Sequence, residues 1–350
     1  MNRIAIIGLF RNGCEASDGQ SIKTRVITQE IENIMGADRI HRIDTYKWKK
    51  HPVKLFLNCV QAVWSNEHVV FMTDEGGIKV FPWLLTIANI FKRCKVHYVV
   101  IGGWLIRSID KKKLRRFWLK KLNGIYVETT TMKLALESNG LANVVLLPNC
   151  KRLSILKENE LINFNKEPFP LCTFSRVMRE KGIQDAVEAI RRINHHFGRQ
   201  VYTLDIYGQV DAKQQDWFEK LKADFPQGVR YCGVAPFYQS AEILKTYFAL
   251  LFPTKFYTEG VPGTIIDAFS AGVPVIASQW ESYHDIMDDG TCIGYSFGSF
   301  SGLLACLEKV AMNPSLIKSK KKACLKRAQQ YSPECAMKPL LTALMEKDNN

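Results

Sequence analysis

The residues best suited to chemistry lie between positions 252 and 278. An apolar run ends at Pro253, a loop follows, and Gly263-Thr264 begin a segment with helical spacing. The free N–H groups at a helix start, with the positive end of the helix dipole behind them, form an anion site. Gly260 and Gly263 let a phosphate approach the backbone closely. This loop and helix start therefore predict a phosphate site.

Two acids flank this helix start. Glu259 lies before the helix and Asp267 lies in its first turns, eight positions later. Carboxylates beside a diphosphate suit sugar hydroxyls better than they suit the phosphate itself, because like charges repel. A competing interpretation is that both acids only complement the helix dipole, but it does not explain the Gly-Val-Pro-Gly loop between them. We therefore predict that both carboxylates accept hydrogen bonds from hydroxyls.

A basic pair follows the predicted strand Leu171–Ser175. Arg176 and Lys181 flank a short loop, and Gly182 begins the next helical pattern. A planar guanidinium and an ammonium together neutralise a diphosphate from two sides, whereas each alone is more typical of a solvated surface. The chain has no Asp-x-Asp triplet and its His residues do not cluster, so we expect no metal and no cofactor.

Short apolar runs alternate with helical spacing along most of the chain, a pattern typical of parallel sheets covered by helices. The predicted strands are Ile4–Gly8, Arg39–Ile43, Val69–Met72, Val96–Ile101, Gly124–Val127, Val144–Leu147, Leu171–Ser175, Tyr202–Tyr207, Val229–Cys232, Phe248–Phe252, Val273–Ala277 and Ile293–Ser296. The predicted helices are Ile22–Met35, Val53–Ser65, Trp83–Lys92, Lys111–Leu122, Thr130–Ser138, Ile183–His195, Lys213–Asp224, Ala241–Lys245, Thr264–Ala271, Pro314–Tyr331 and Ser332–Lys347.

The length and one polar segment predict two domains. The chain has 350 residues, and a single hydrophobic core usually stops growing at about 250–300 residues. The alternation breaks at Lys151–Pro170, a polar stretch that ends in two prolines. We predict an N-terminal domain over 1–155 and a C-terminal domain over 165–332, with a final helix over 333–350 packed on the N-terminal domain.

Together these residues resemble the retaining glycosyltransferases of the GT-B fold, specifically family 4, also called group 1. The resemblance implies an α/β protein with two doubly wound Rossmann-like domains that face a central cleft. It covers most of the chain. The motifs that carry it are Asp18-Gly19-Gln20-Ser21, Pro148-Asn149, Arg176…Lys181-Gly182, Tyr207-Gly208, Gly233-Val234 and Glu259…Asp267.

The resemblance implies roles for the candidate residues. The catalytic groups are Glu259, Arg176 and Lys181. The donor diphosphate is bound by Arg176, Lys181, Gly263, Thr264 and Gly19. The donor sugar contacts Glu259, Gly260, Val261 and Pro262, the ribose contacts Asp267, and the nucleobase contacts Gly233 and Val234.

Two positions depart from the family pattern. The second acid is Asp267 rather than Glu, which shortens the side chain by one methylene and keeps a carboxylate for the ribose hydroxyls. The stretch Val99–Trp104 holds no histidine where many members carry one that faces the donor sugar. We therefore assign no catalytic histidine.

The implied reaction is metal-independent hexosyl transfer from a nucleotide diphosphate sugar to a hydroxyl of a glycan or lipid-linked oligosaccharide, with retention at the anomeric carbon. The implied pathway is bacterial surface polysaccharide synthesis, such as lipopolysaccharide or capsule. One alternative is a nucleotide-sugar epimerase of the same fold, for which no acid and base pair is found. A nucleic-acid binder is another, but no binding motif of that class is present, and we expect no nucleic-acid partner.

Positive charge is concentrated in one segment. The chain has 48 Lys and Arg against 34 Asp and Glu, a formal charge of +14, and eleven of these cations lie between Lys92 and Lys121. A helix from Lys111 would present Leu114, Phe117, Trp118 and Leu122 as an apolar stripe with basic borders, which suits an anionic bilayer. The predicted membrane contacts are Lys111, Lys112, Lys113, Arg115, Arg116 and Trp118.

An ordinary solvated helix face, with Phe117 and Trp118 in the core, is the alternative interpretation of this segment. No apolar stretch suits a membrane span, and the ten cysteines occur singly, as in reduced cytosolic proteins. We predict a cytoplasmic protein, peripheral on the inner face of the cytoplasmic membrane.

Overall fold

The structure is a computed structural model that describes residues 3–11, 19–110, 113–236 and 239–346; of the side chains at 110 and 113–115 nothing is described. The chain divides into two compact units. The first comprises Met1–Arg152, Glu259–Val261 and Tyr331–Asn350, and the second comprises Leu153–Thr258 and Pro262–Gln330.

The first unit is built on a parallel sheet of six strands within the described residues. These strands are β1 (Ile4–Gly8), β2 (Ile40–Asp44), β3 (His68–Thr73), β4 (Lys95–Val100), β5 (Gly124–Val127) and β6 (Val144–Leu146), in the spatial order β2-β1-β3-β4-β5-β6. Its helices are α1 (Gly19–Met35), α2 (Pro52–Ser65), α3 (Phe81–Ala88), α4 (Leu105–Asp110), α5 (Lys113–Leu119) and α6 (Thr130–Ser138).

Helices cover both faces of the first sheet, so its central strands are apolar on both sides. Every residue of β1 and of β3 is buried. One core contains the stacked rings of Phe71 and Tyr98, 4.5 Å apart, and buried residues of α2 and α3. The other core contains Ile27 and Ile31 of α1 together with apolar residues of the C-terminal helices, including Leu340.

The second unit contains a second parallel sheet with six described strands. They are β7 (Phe169–Phe174), β8 (Tyr202–Tyr207), β9 (Val229–Gly233), β10 (Ala249–Phe252), β11 (Val275–Gln279) and β12 (Cys292–Ser296), in the order β12-β11-β10-β7-β8-β9. The remaining helices are α7 (Ile183–His196), α8 (Gln215–Ala223), α9 (Ser240–Leu244), α10 (Gly263–Ser270), α11 (Tyr283–Ile286), α12 (Phe300–Met312), α13 (Ser315–Lys318), α14 (Lys321–Ala328), α15 (Pro333–Ala336) and α16 (Lys338–Met345). Of these, α15 and α16 belong to the first unit.

The strand order of the second sheet reverses between its neighbours β7 and β10. The strands that follow β7 in the chain, β8 and β9, lie on one side of it, and those that follow β10 lie on the opposite side of the sheet. The loops after β7 and β10 therefore lead away from each other. Such a switch point leaves a crevice at the carboxyl ends of the strands, where doubly wound sheets bind ligands. The loops concerned are 175–182 and 253–262.

All twelve predicted strands are present within two residues at either end, and the two parallel sheets confirm the predicted fold class. Three helices were not predicted: α4, α11 and α12. Apolar residues recur along α12 at helical spacing, with Leu303, Leu307 and Val310 buried, so this helix was missed although its pattern is present in the sequence; Ser299 caps it by accepting a hydrogen bond from the Gly302 N–H.

The predicted helix Lys111–Leu122 is wrong in extent. Helix α5 ends at Leu119, and the next residues form tight turns in which the N–H groups of Lys121 and Leu122 donate to Trp118 and Leu119. These turns place Leu122 in the core, 4% exposed, while Phe117 is 52% exposed. The predicted single apolar stripe is therefore wrong for these two members, because Leu122 is buried and Phe117 is exposed.

No helix among the described residues is both long enough and apolar enough to cross a bilayer.

Candidate functional site

The loop that carries Lys181 is held against the end of β10. Gly182 has a left-handed backbone (φ 70°), and a Cβ there would lie 1.9 Å from the Pro253 carbonyl oxygen, so only glycine fits. The Lys255 N–H donates to the Glu180 carbonyl at 2.7 Å. These backbone contacts join the loops after β7 and β10 at the switch point of the second sheet.

The ammonium of Lys181 lies at this junction. Its Nζ is 5.6 Å from the ring centroid of Phe252 and 5.2 Å from that of Phe256, which is the distance of cation–π contacts. Next to it, the Glu180 carboxylate accepts a hydrogen bond from Gln214 Nε2 at 2.9 Å, and this bond lowers the pKa of Glu180. The loop thus carries an ionised acid beside the lysine, and Arg179 offsets the charge of this acid, so the loop keeps the net charge of the basic pair.

Arg176 lies on the same loop and is exposed. Its Nη1 is 3.8 Å from Asp211 Oδ2. An exposed pair of this kind contributes at most about 1 kcal/mol, so an anionic ligand can compete with Asp211 for the guanidinium. Gly208, at φ 138°, allows the loop after β8 to approach Ser175, where a Cβ would lie 1.8 Å from the carbonyl oxygen.

The predicted phosphate-binding helix start is present as α10, which begins at Gly263 and follows Pro262 without a side-chain cap. The Thr264 hydroxyl is buried and has no hydrogen-bond partner among the described residues. Asp267 lies in the second turn and is 6% exposed. The helix therefore presents its first N–H groups, and it holds a carboxylate inside the unit one turn later.

The predicted nucleobase residues also lie at the carboxyl edge of the second sheet. Gly233 is the last residue of β9 and has a left-handed backbone (φ 77°), and Val234 after it is exposed. The Gly208 N–H donates to the Gly233 carbonyl at 2.8 Å, and Tyr231 donates to the Gly208 carbonyl at 2.8 Å. The loops after β8 and β9 therefore support each other.

Beneath this edge lies a polar cluster that sequence reasoning missed. The buried Asp205 carboxylate accepts two hydrogen bonds from Arg230, at 2.6 and 2.8 Å, and one from the Tyr247 hydroxyl at 2.6 Å. The Tyr207 hydroxyl is 2.9 Å from that of Tyr247. Burial and the hydrogen bond to Asp205 raise the pKa of Tyr247, so the phenol stays protonated as a donor. The cluster fixes β8 just before Gly208.

Glu259, Gly260 and Val261 belong to the first unit. The Val261 N–H donates to Glu128 Oε2 at 2.9 Å, and its carbonyl accepts from Asn149 Nδ2 at 2.9 Å. Glu259 is half-buried. Gly19 is the exposed first residue of α1, and a Cβ placed there would have no atom of the described residues within 4 Å. Asp18, from the same predicted motif, lies outside the described residues.

The structure thus brings the predicted residues of the second unit to one sheet edge: Arg176, Lys181, Gly233, Val234, Pro262, Gly263, Thr264 and Asp267. It groups Gly19, Glu259, Gly260 and Val261 with the first unit. Their individual roles stay predictions. In the described part of the chain, no group of three His, Cys, Asp or Glu residues is arranged to hold a metal ion.

Two residues of the first unit were missed by sequence reasoning, Lys23 and Glu128, which form a buried ion pair. Two features of the sequence could have indicated them: Lys23 lies among the regularly spaced apolar residues of α1, and Glu128 directly follows the apolar strand β5. Neither position belongs to a motif of the resemblance.

Of the predicted membrane contacts, Lys111 and Lys112 lie outside the described residues, and the side chains of Lys113 and Arg115 are not described. Arg116 is half-buried and donates to the Asn139 carbonyl at 3.3 Å. Trp118 is half-buried and packs edge-on against Phe117. Membrane contact through α5 therefore stays a prediction.

Comparisons with known proteins agree with this architecture. Residues 169–309 match the family model for group 1 glycosyl transferases. No curated protein sequence matches the chain. In structure the chain is similar to Alr3699/HepE of Anabaena, solved in complex with UDP and glucose, with a TM-score of 0.73, 12% identity, and coverage of 98% of this chain and 99% of that one.

Two further solved structures each align with 98% of this chain over 99% of their own length. One is sucrose-phosphate synthase from Thermosynechococcus elongatus, with a TM-score of 0.72 and 14% identity. The other is the lipopolysaccharide outer core galactosyltransferase WaaB, with a TM-score of 0.69 and 17% identity. At these identities the likeness establishes the fold, which is GT-B with two Rossmann-like domains. The match to the group 1 glycosyl transferase model covers residues 169–309, which is less than half of the chain.

Proposed function

We propose that this chain transfers a hexosyl group from a nucleotide diphosphate sugar to a hydroxyl of a glycan or lipid-linked oligosaccharide, with retention of anomeric configuration and without a metal. The observation that carries the proposal is the switch point of the second sheet, where Arg176 and Lys181 follow β7 and the uncapped start of α10 follows β10. This edge combines two cations with free N–H groups, as a diphosphate requires.

Each group at this edge has a part in the proposed reaction. The bond between the anomeric carbon and the β-phosphate oxygen breaks, and a bond to the acceptor oxygen forms on the same face. The acceptor proton passes to the departing phosphate. Arg176, Lys181 and the N–H groups of Gly263 and Thr264 stabilise the charge that grows on that phosphate, and they do so more strongly in the transition state than in the ground state.

A thermal-shift panel of nucleotide diphosphate sugars without added metal tests this proposal. A ligand that binds only the folded state raises the unfolding temperature, and at least one uridine or guanosine sugar is expected to do so. UDP is a natural first probe, because the similar HepE structure was solved with UDP. A panel without any shift, or shifts that need a divalent cation, would count against the donor site or against metal independence.

Surface polysaccharide synthesis is the proposed pathway, supported by the likeness to a lipopolysaccharide galactosyltransferase. Its acceptors are carried on membrane lipids, so we also propose that the chain works at an anionic membrane face. The support comes from α2 and α3 rather than from α5. Each of these helices buries one apolar face in the core and exposes a second apolar stripe.

The two exposed stripes form one area that we call the α2–α3 surface. Its residues are Val53, Phe56, Leu57, Trp64, Trp83, Ile87, Ile90 and Phe91. Ile90 and Phe91 lie in the turn after α3, and Phe91 is 87% exposed. Trp64 Nε1 donates to the Ala88 carbonyl at 3.2 Å and so joins the two helices. Exposed lysines and arginines lie near these residues in the sequence, and Lys92 Nζ is 6.0 Å from the Trp64 ring centroid. The cations are Lys49, Lys50, Lys54, Lys79, Lys92 and Arg93. Aromatic and aliphatic side chains bordered by cations fit an anionic bilayer.

Vesicle sedimentation tests the α2–α3 surface. The double substitution Ile90→Glu with Phe91→Glu is expected to lower the affinity for phosphatidylglycerol-containing vesicles by more than about tenfold. Each apolar side chain that is buried in the bilayer contributes about 1.5–3 kcal/mol to the free energy of binding. Ile34→Glu with Leu134→Glu is the control, because it adds the same two negative charges at exposed apolar residues of α1 and α6 in the same unit. Equal binding by both variants, or retention on nucleic acid but not on vesicles, would contradict the membrane proposal.

A further inference from the structure

A buried ion pair lies in the first unit and has no part in the reaction described above. Lys23, in α1, is 3% exposed, and Glu128, directly after β5, is 5% exposed. Lys23 Nζ lies 2.5 Å from Glu128 Oε1 and also donates to the Val100 carbonyl at 3.0 Å. Removing two charges from water offsets most of what their attraction contributes, so a pair of this kind is weak evidence for a stabilising role.

The second oxygen of Glu128 binds the loop that carries Glu259. Oε2 accepts the hydrogen bond from the Val261 N–H at 2.9 Å. Asn149 Nδ2 donates to the carbonyl of the same residue, also at 2.9 Å. Val261 is thus fixed at both of its backbone polar groups, two residues after Glu259.

The fit between this loop and the carboxylate is close. A Cβ at Gly260 would lie 2.1 Å from Glu128 Oε2 and 3.4 Å from the Gly102 Cα. Gly260 is therefore required by proximity to the carboxylate, since its φ is not in the left-handed region. Lys23 holds the carboxylate in position from the other side, so the ion pair and the loop form one connected hydrogen-bonded unit.

We infer that Lys23 and Glu128 are a positioning pair that sets the place of Glu259 and, through it, of the donor sugar. The inference rests on the proposed function, because it takes Glu259 as the group that contacts that sugar. The pair acts on the sugar and not on the nucleotide diphosphate, for which Arg176, Lys181 and the start of α10 are proposed. Loss of the pair therefore affects turnover of the donor and leaves binding of the nucleotide diphosphate unchanged.

The test uses the charge-balanced variant Lys23→Met with Glu128→Leu, which leaves no unpaired buried charge and so keeps the fold. Its readouts are the dissociation constant for UDP, or for the nucleoside diphosphate of the sugar that stabilises the wild type most, and kcat/KM for release of that diphosphate from the sugar donor. Misplacement by about 1 Å costs up to about a hundredfold in rate. We expect kcat/KM to fall by at least about tenfold and the dissociation constant to change by less than about twofold.

Three further comparisons separate positioning from general damage. Arg42→Met with Glu32→Leu removes another ion pair that involves α1, away from the loop, and is expected to leave both readouts unchanged. Gly260→Ala is expected to reduce turnover in the wild type and to cause little additional loss in the charge-balanced variant, since contacting residues show non-additive effects. In Glu128→Gln the single amide oxygen cannot serve both Lys23 and the Val261 N–H, so turnover is expected to fall there too.

Each outcome has a distinct meaning. A wild type that binds no nucleotide or nucleotide sugar overturns the proposed function and this inference with it. A wild type that binds and turns over the donor, with the charge-balanced variant unchanged in kcat/KM, overturns the positioning role alone. Equal losses in diphosphate binding and turnover would also overturn it, because they would mean that the pair only maintains the structure.

Discussion

Arg176→Ala is expected to lower kcat/KM for donor turnover by about 10²–10³-fold, the usual effect of removing one donor that stabilises growing charge. The guanidinium is exposed, and its one described ionic partner is Asp211 at 3.8 Å, so its loss costs the fold little. Arg176→Lys keeps the charge and loses the planar fork, and it is expected to recover only part of the activity. Steady-state release of the nucleotide diphosphate measures the effect.

Arg199→Ala is the matched control for this substitution. Arg199 is equally exposed and pairs with Glu167, at 2.7 Å, close to the amino ends of β7 and β8. Ligands of doubly wound sheets bind at the carboxyl ends, so Arg199→Ala is expected to retain wild-type turnover. If the two alanine variants lose activity equally, Arg176 does not bind the donor diphosphate.

The second large effect is on stability. Lys23→Met leaves Glu128 as an unpaired buried carboxylate and is expected to lower the free energy of unfolding by about 3–5 kcal/mol. For a domain of 150–250 residues each kcal/mol corresponds to roughly 2–4 °C, so the melting temperature of the first unit is expected to fall by roughly 6–20 °C. Calorimetry or circular dichroism on heating measures the change.

Lys133→Met is the control, because Lys133 forms an exposed pair with Glu137 one turn along α6. Its removal is expected to change the free energy of unfolding by no more than about 0.5 kcal/mol. Adding Glu128→Leu to Lys23→Met removes the orphaned charge and is expected to restore most of the stability. A single Lys23→Met variant as stable as the wild type would show that Glu128 is not held as a buried anion.

The sheets could be predicted because their strands are buried on both faces and appear as continuous apolar runs. Ile4–Gly8, Gly124–Val127 and Tyr202–Tyr207 match the observed bounds at both ends. The loops after β7 and β10 were predictable for a different reason. They carry glycine where two backbones approach closely, as at Gly182, and such glycines are visible in the sequence.

Tertiary contacts were not predictable. Glu128 and Lys23 are 105 positions apart, and no local spacing indicates that they meet. Helical spacing after Lys111 predicted a single helix, but the turns after Leu119 direct Leu122 into the core instead. The exposed stripe of α2 was missed because a helix with two apolar faces gives the same pattern as one fully buried.

Glycines 182 and 260 differ in what surrounds them, and this difference has a consequence for evolution. At 182 the obstacle to any side chain is a backbone carbonyl, which no other substitution can remove. At 260 it is the Glu128 side chain, which a shorter residue at 128 would clear. Descendants of this sequence should therefore keep the first glycine without exception, whereas they can exchange the second, provided that position 128 changes in the same lineage.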